Sequence, residues 1–257
     1  RNVLRTVIEA VRAGAATPTA PPSFWWATDS GRVVGAASWT PPHGLLVSDL
    51  GPETIAPLVD SVRRRGREID VSVPGVNGPG KTARLVAATW ERLVGAATTL
   101  HMVEILHQLD ALIEPPSPRG RWRLAEATDA GLVERWFVAF ADEAGVVHVP
   151  DRARLVAHVI DTGRCFLWDE GGTPVSMVCR NISVAGVVRI GPVYTPPEFR
   201  MRGYGRRLTY EVTRQALAEG AITTVLYTDA GNPTSNSIYR QVGYHPLEEH
   251  VQISFEH

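Results

Sequence analysis

Apolar positions along the chain follow two rhythms. In SFWWATDSGRVVGAASW, residues 23–39, short β-rich runs flank the polar turn Asp29–Gly31. Such runs around a glycine-containing turn predict a hairpin. CFLWDEGGTPVSMVCRNI, residues 165–182, repeats the arrangement around Asp169–Gly172, and Phe24 and Trp26 align with Phe166 and Trp168. After each hairpin the pattern predicts strand, helix, strand, helix. In the first half these are LLVSDL, PETIAPLVDSVRRRG, EIDVSV and ARLVAATWERLVG; in the second they are VVRIGPVYT, GRRLTYEVTRQALAEG, ITTVLYTD and NSIYRQVG. A shared order of this length suggests a duplicated domain.

Between the halves, TTLHMVEILHQLDALI (residues 98–113) has apolar residues at helical spacing, and so has the stretch from Arg123 to Gly145. The prolines of IEPPSPRGRW remove backbone donors and disfavour helix before each of them. The expected division is therefore 1–114, a linker at 115–122, and 123–257.

Composition narrows the classes. Hydrophobic residues make up 44% of the 257 and charged residues 21%, so a packed core is expected rather than disorder. A net charge of −1 gives no general attraction to nucleic acid or to an anionic membrane. Cys165 and Cys179 are too few for a disulfide scaffold and lie in apolar runs, as reduced buried cysteines do. No run approaches the ~18 apolar residues of a membrane span, and no signal-peptide pattern is visible. A cytoplasmic protein is the expectation.

One stretch invites a different chemistry. GVNGPGKT, residues 75–82, fits the phosphate-loop pattern G-x-x-x-x-G-K-[ST], with Lys81 and Thr82 at the positions that meet phosphate and metal. A nucleotide hydrolase also needs an apolar strand ending in an acid that holds Mg²⁺. FLWDE runs directly into a hairpin, where a parallel sheet needs a longer crossover. GVNGPGKT is therefore expected to be a turn before a helix, with Lys81 an exposed cation.

The second half carries a stronger pattern. In VYTPPEFRMRGYGRRL, Arg200, Gly203 and Gly205 form R-x-x-G-x-G where an amphipathic helix begins. Glycine lets backbone approach a ligand closely, and N–H groups at a helix start suit a diphosphate. Arg202, Arg206 and Arg207 add positive charge there. Further on, Asn232, Ser235, Ile238, Tyr239, Gly243 and Tyr244 fit N-x-x-[AS]-x-x-[LI]-Y-x-x-x-G-[FY]. Together and in this order, the two pieces resemble the GNAT superfamily of acyl-CoA N-acyltransferases over roughly Arg123 to His257.

The resemblance implies an α/β fold of two GNAT-like lobes, each a mixed sheet with flanking helices, in which the central parallel strands of the second lobe splay apart. It implies acetyl-CoA as co-substrate and a small-molecule or peptide amine as acceptor, with no nucleic acid or membrane partner. Backbone of Val193, Tyr194 and Thr195 would pair with the pantetheine arm. Arg200, Met201, Arg202, Gly203, Tyr204, Gly205 and Arg206 would hold the diphosphate. Asn232 and Asn236 would bond the pantetheine or hold their loop. Tyr239 would protonate the departing thiolate, or serve only as a packed aromatic.

A carboxylate base, which many members carry on the central strand, is missing from VVRIGPVYT. Asp142, Glu143, His148 and His158 are the substitutes, unless water takes the proton. The first half has SDLGPETIAPL where the arginine–glycine loop should be, and Asp49 and Glu53 would repel a diphosphate. It is expected to be a degenerate lobe. The rivals to an acetyltransferase are a catalytically silent CoA-binding or regulatory protein and, less favoured, the phosphate-loop hydrolase.

Overall fold

The computed structural model describes residues 19–146 and 151–256. They form two compact units: residues 19–105 with 248–256, and residues 106–247.

The first unit opens on the expected hairpin, β1 (Ser23–Asp29) and β2 (Arg32–Trp39). Ser30 and Gly31 turn it with φ of 49° and 77°, the left-handed pair that matches strand twist. β3 (Leu45–Val47) pairs antiparallel with β2 and leads into α1 (Pro52–Ile69). β4 (Gly75–Pro79) lies parallel to β3, and α2 (Gly80–Val94) follows. The chain's last strand, β11 (Tyr244–Phe255), sends residues 250–254 back to pair antiparallel with β4. The core of this unit holds Trp39, Val59, Val62, Val86 and Trp90 against Val251, Ile253 and Phe255. Trp90 stacks on Phe255 with ring centroids 4.5 Å apart.

Three expectations change here. EIDVSV is no strand: Glu68 and Ile69 end α1, Asp70 caps it in the left-handed conformation, and the strand comes later. Residues 98–113 are not helical: β5 (Thr98–Leu109) is a long strand that buries only His107 and Leu109, on one face, and its apolar Leu100, Val103, Ile105 and Leu106 fall on both faces, so the sequence lacks strict alternation. GVNGPGKT is not a turn. Its first five residues are β4, paired along both edges, so its N–H groups face sheet neighbours and not an anion.

The glycines answer to that sheet. A Cβ on Gly75 would lie 2.2 Å from the Ile253 carbonyl oxygen, and one on Gly78 would lie 2.5 Å from that of Val47. Thr82 is fully buried, accepting from the Leu50 N–H at 3.3 Å, while Lys81 is exposed. The match to a phosphate loop arises from backbone crowding.

In the second unit the strands run in the order β5, β10 (Thr223–Asp229), β9 (Val187–Tyr194), β8 (Thr173–Arg180), β7 (Cys165–Glu170), β6 (Arg121–Leu124). All neighbours from β9 to β6 are antiparallel, whereas β9 and β10 are parallel. β6 takes the end of the expected linker into the sheet, with Trp122 opposite Trp168. Helices cover both faces: α3 (Ala130–Ala144) and α4 (Arg152–Asp161) on one, α5 (Tyr204–Ala218) and α6 (Pro233–Arg240) on the other. Successive residues therefore enter different cores. Phe166 and Val178 pack with Leu208 and Val212, while Leu167 and Met177 pack with Val133 and Trp136.

The Tyr244 hydroxyl, at the start of β11, lies 2.7 Å from both Thr213 Oγ1 on α5 and Thr224 Oγ1 on β10. Burial pushes its pKa up to about 12.

Two tests follow from this fold. Below the ordinary tyrosine value near ~10, Tyr244 is neutral folded or unfolded, and stability is constant. Above it the unfolded chain loses the proton first, so stability falls between about pH 10 and the folded value of about 12. Tyr194, Tyr204, Tyr239 and Cys179 are also raised on folding and add to the decline, so the Tyr244 share is the difference between the unmodified protein and a Tyr244→Phe variant. Urea denaturation across pH 9–12 should show the decline, shallower in Tyr244→Phe. That variant should also lose about 1–3 kcal/mol at neutral pH by stranding two threonine hydroxyls. Lys81→Ala should change stability by no more than about 0.5 kcal/mol. Calorimetry should detect no ATP or GTP binding with Mg²⁺ in either protein; micromolar binding lost in the variant would restore the phosphate loop.

Candidate functional site

The site is built where β9 and β10 part. Their register pairs Val187–Arg189 with Thr223–Val225 and goes no further, although β9 continues to Tyr194 and β10 to Asp229. The cause lies in β9. Arg180 of β8 faces Ile190, but Val178 faces Val193, so one extra residue is inserted around Gly191–Pro192. Such a bulge bends and twists its strand. Gly191 takes a φ of 138°, which favours glycine. Val193 to Thr195 thus have backbone away from the β10 ladder, as the sequence motif requires.

β9 hands over to α5 through a short turn, Pro197–Phe199, and the loop Arg200–Gly203. Met201 and Gly203 adopt φ of 61° and 83°. Gly203 caps α5 without any side-chain hydrogen bond, and the first recorded helical bond runs from Arg207 N–H to Gly203 O at 2.9 Å. The N–H groups of Tyr204, Gly205 and Arg206 precede that bond and have no intrahelical acceptor. Gly205 brings the helix start against β9: a Cβ there would lie 3.0 Å from Thr195 Oγ1. Ser176 Oγ ties the same place, 2.9 Å from Thr195 Oγ1 and 3.1 Å from the Tyr194 carbonyl it donates to.

The arginines do not act as one cluster. Arg207 turns inward, donating to Glu211 at 2.6 Å, Glu114 at 2.8 Å and the Pro115 carbonyl at 2.9 Å. It braces α5 against residues 114–115 and adds no free charge, contrary to expectation. Arg206 donates from Nη1 to Gln241, and its Nε is buried without a hydrogen-bond partner. Arg202 lies over the Phe199 ring, 5.9 Å from its centre. Arg200 donates from Nη2 to the two Glu143 oxygens at 2.8 and 2.6 Å and from Nε to the Thr195 carbonyl at 2.9 Å.

On the opposite bank, Asn232 caps α6, its Oδ1 accepting from Ser235 N–H at 3.0 Å. Asn236 accepts from Thr228 Oγ1 at 2.6 Å and donates to the Asp229 carbonyl at 3.3 Å. Both side chains hold the loop after β10. Tyr239 is buried in the α5–α6 core, edge-on to Tyr244 at 6.4 Å between ring centres. Burial raises its pKa further than that of Tyr244, so it carries its proton throughout the physiological range. No hydrogen bond to its hydroxyl is recorded among the described residues.

Of the substitute bases, Glu143 alone is seen against the site. It ends α3, accepts from the Tyr194 hydroxyl at 3.3 Å and pairs with Arg200. Asp142 is exposed beside it, His158 is exposed on α4, and His148 lies outside the described residues. Burial and the Glu143 carboxylate raise the Tyr194 pKa. Ser176 and Thr228 were not anticipated, because a hydroxyl inside a strand carries no motif.

Residues 127–244 match the acetyltransferase (GNAT) family. No curated protein matches the chain. Among solved structures it resembles a GNAT-family acetyltransferase from Colwellia psychrerythraea, at 14% identity and a TM-score of 0.59 over 98% of this chain and 96% of that one. A GCN5-related N-acetyltransferase from Kribbella flavida gives 18% and 0.62 over 86% of each. A tandem GNAT protein from the clavulanic acid biosynthesis pathway gives 14% and 0.55 over 97% of this chain and 86% of that one. At such identities the likeness is one of fold. The family match falls on the very residues that build the parted strands and the glycine loop, so residues 127–244 carry a GNAT acetyltransferase domain.

Proposed function

We propose that this acyltransferase moves an acetyl group from acetyl-CoA to a primary amine of a small-molecule or peptide acceptor, in the cytoplasm. The observation that carries the reading is the freed backbone of Val193–Thr195 leading to an uncapped α5 start. An extended amide chain can add to the first as a strand would, and a diphosphate can meet the N–H groups of the second. Arg200, Met201, Arg202, Gly203, Tyr204, Gly205 and Arg206 would form the cradle. Asn232 and Asn236 would shape the pantetheine bank through the contacts they already make.

In the reaction the amine nitrogen attacks the acetyl carbonyl carbon, the carbon–sulfur bond breaks, and the amine's proton goes to water or a base. Backbone N–H groups of β9 would steady the oxyanion. Tyr239, kept protonated by burial, would donate its hydroxyl hydrogen to the leaving sulfur. Its raised pKa makes a strong hydrogen bond a better description than complete transfer to a thiolate.

We read residues 1–114 as a degenerate lobe and 123–257 as the acetyltransferase lobe, joined by 115–122. In the first, α1 begins at Gly51 with the acidic Glu53 in its first turn, so a carboxylate stands where a diphosphate would go. The second reading is a catalytically silent CoA-binding or regulatory protein, favoured by β9 having no acidic residue. Among the described residues no helix is long and apolar enough to cross a membrane.

One CoA per chain is expected by calorimetry. Gly203→Asp should abolish binding, because aspartate tolerates the left-handed conformation yet puts a carboxylate against the diphosphate. Two sites, or unchanged affinity in that variant, would refute the cradle. Tyr239→Phe should lower turnover about 10²–10⁴-fold while CoA affinity stays the same. Equal turnover in the variant would make Tyr239 a packing residue, and no turnover with any amine despite CoA binding would favour the silent protein.

A further inference from the structure

We propose that Glu143 is the carboxylate that receives the acceptor's ammonium group, and that Arg200 masks it until acyl-CoA binds. The inference rests on the acyl-CoA reading above. Arg200 opens the loop that would hold the diphosphate, yet its Nη2 is engaged by both oxygens of Glu143. The two residues lie 57 positions apart and join the end of α3 to the loop that follows the turn Pro197–Phe199. Both side chains are accessible, 43% for Arg200 and 46% for Glu143, so a ligand can compete for either. The contact is reinforced from the side: the guanidinium carbon sits 5.9 Å from the centre of the Tyr194 ring, whose hydroxyl donates to the same carboxylate.

A diphosphate carries more negative charge than one carboxylate and sits at a helix start that favours anions. When it draws Arg200, Glu143 loses its counter-charge. What remains beside β9 is a carboxylate with a phenol donor, and Glu198 adds negative potential at Tyr194. Such a place attracts a cation and repels an anionic acceptor. Tyr194 also supplies backbone to the stretch that would take the pantetheine, so the ammonium is received next to the acyl donor's path. The acceptor class is thus a cationic amine, and the two ligands help each other: acyl-CoA uncovers the amine site, and an ammonium on Glu143 releases Arg200 for the diphosphate. Coupling of binding free energies is reciprocal by necessity.

Calorimetry with CoA tests the exchange without knowledge of the natural acceptor. Glu143→Gln is close in shape and frees Arg200, so CoA should bind about two- to fivefold more tightly, the range in which exposed ion pairs fall. In an Arg200→Ala background the same substitution should bring no gain. n-Butylammonium ion should tighten CoA binding to the unmodified protein but not to Glu143→Gln, and n-butanol should do neither. Equal CoA affinity in the unmodified protein and Glu143→Gln, or an equal effect of n-butylammonium on both, overturns the exchange alone. Failure of the unmodified protein to bind CoA overturns the acyl-CoA reading, and this inference with it.

Discussion

A strand that leaves its neighbour within a sheet must find other partners for its backbone, because an unpaired buried N–H or C=O costs as much as a lost hydrogen bond. β9 and β10 impose that constraint on the second unit. They pair over three residues and then part at the bulge around Gly191–Pro192. Each bank is then held by something other than the opposite bank. On β9, Ser176 donates to the Tyr194 carbonyl and Arg200 to that of Thr195. On β10, Thr228 and the Asp229 carbonyl are taken by Asn236. The two strands therefore stay parted without each other's hydrogen bonds, which is the edge on which the proposed pantetheine contact rests.

The two units show how little of this follows from element order. Both run hairpin, strand, helix, strand, helix. In the first, β3 is three residues long and β4 is paired on both sides, once by β3 and once by the returning β11. Compactness follows that return. The terminal strand gives Tyr244 to one core and Val251, Ile253 and Phe255 to the other. A repeat drawn along the sequence and a division drawn by packing are consequently different lines, and the proposed lobes are of the first kind.

What was legible in the sequence was local. Hairpin turns, the helices α1, α2, α5 and α6, and the strands β9 and β10 announce themselves by period and by glycine. The glycines and Tyr239 of the second-half motifs stand where their spacing implies, because a helix start and a helix face are set by near neighbours. Misread segments have non-local causes. β5 looks helical because its apolar residues fall on both faces of a strand that is mostly half-buried, so alternation is lost. GVNGP looks like a loop because glycines demanded by Val47 and Ile253 mimic glycines demanded by phosphate. The partners of Arg207 lie as far away as Glu114, and those of Arg200 lie at Glu143; no spacing rule reaches so far.

The arginines make the same point energetically. Counted along the chain, four of them converge on one loop, and so much bare charge at one helix start would repel itself. The fold separates their duties. Arg207 is compensated inside by Glu211 and Glu114 and serves packing. Arg206 is tied to Gln241 at one nitrogen and unsatisfied at another, so it has capacity left. Arg202 is spread over the Phe199 ring and also bonds the Tyr204 hydroxyl. Arg200 is neutralised by an exposed carboxylate, a partner weak enough to exchange. Two of the four, Arg200 and Arg207, are thus paired with carboxylates, the first at the surface and the second beneath it, and Arg202 and Arg206 keep their charge at the helix start.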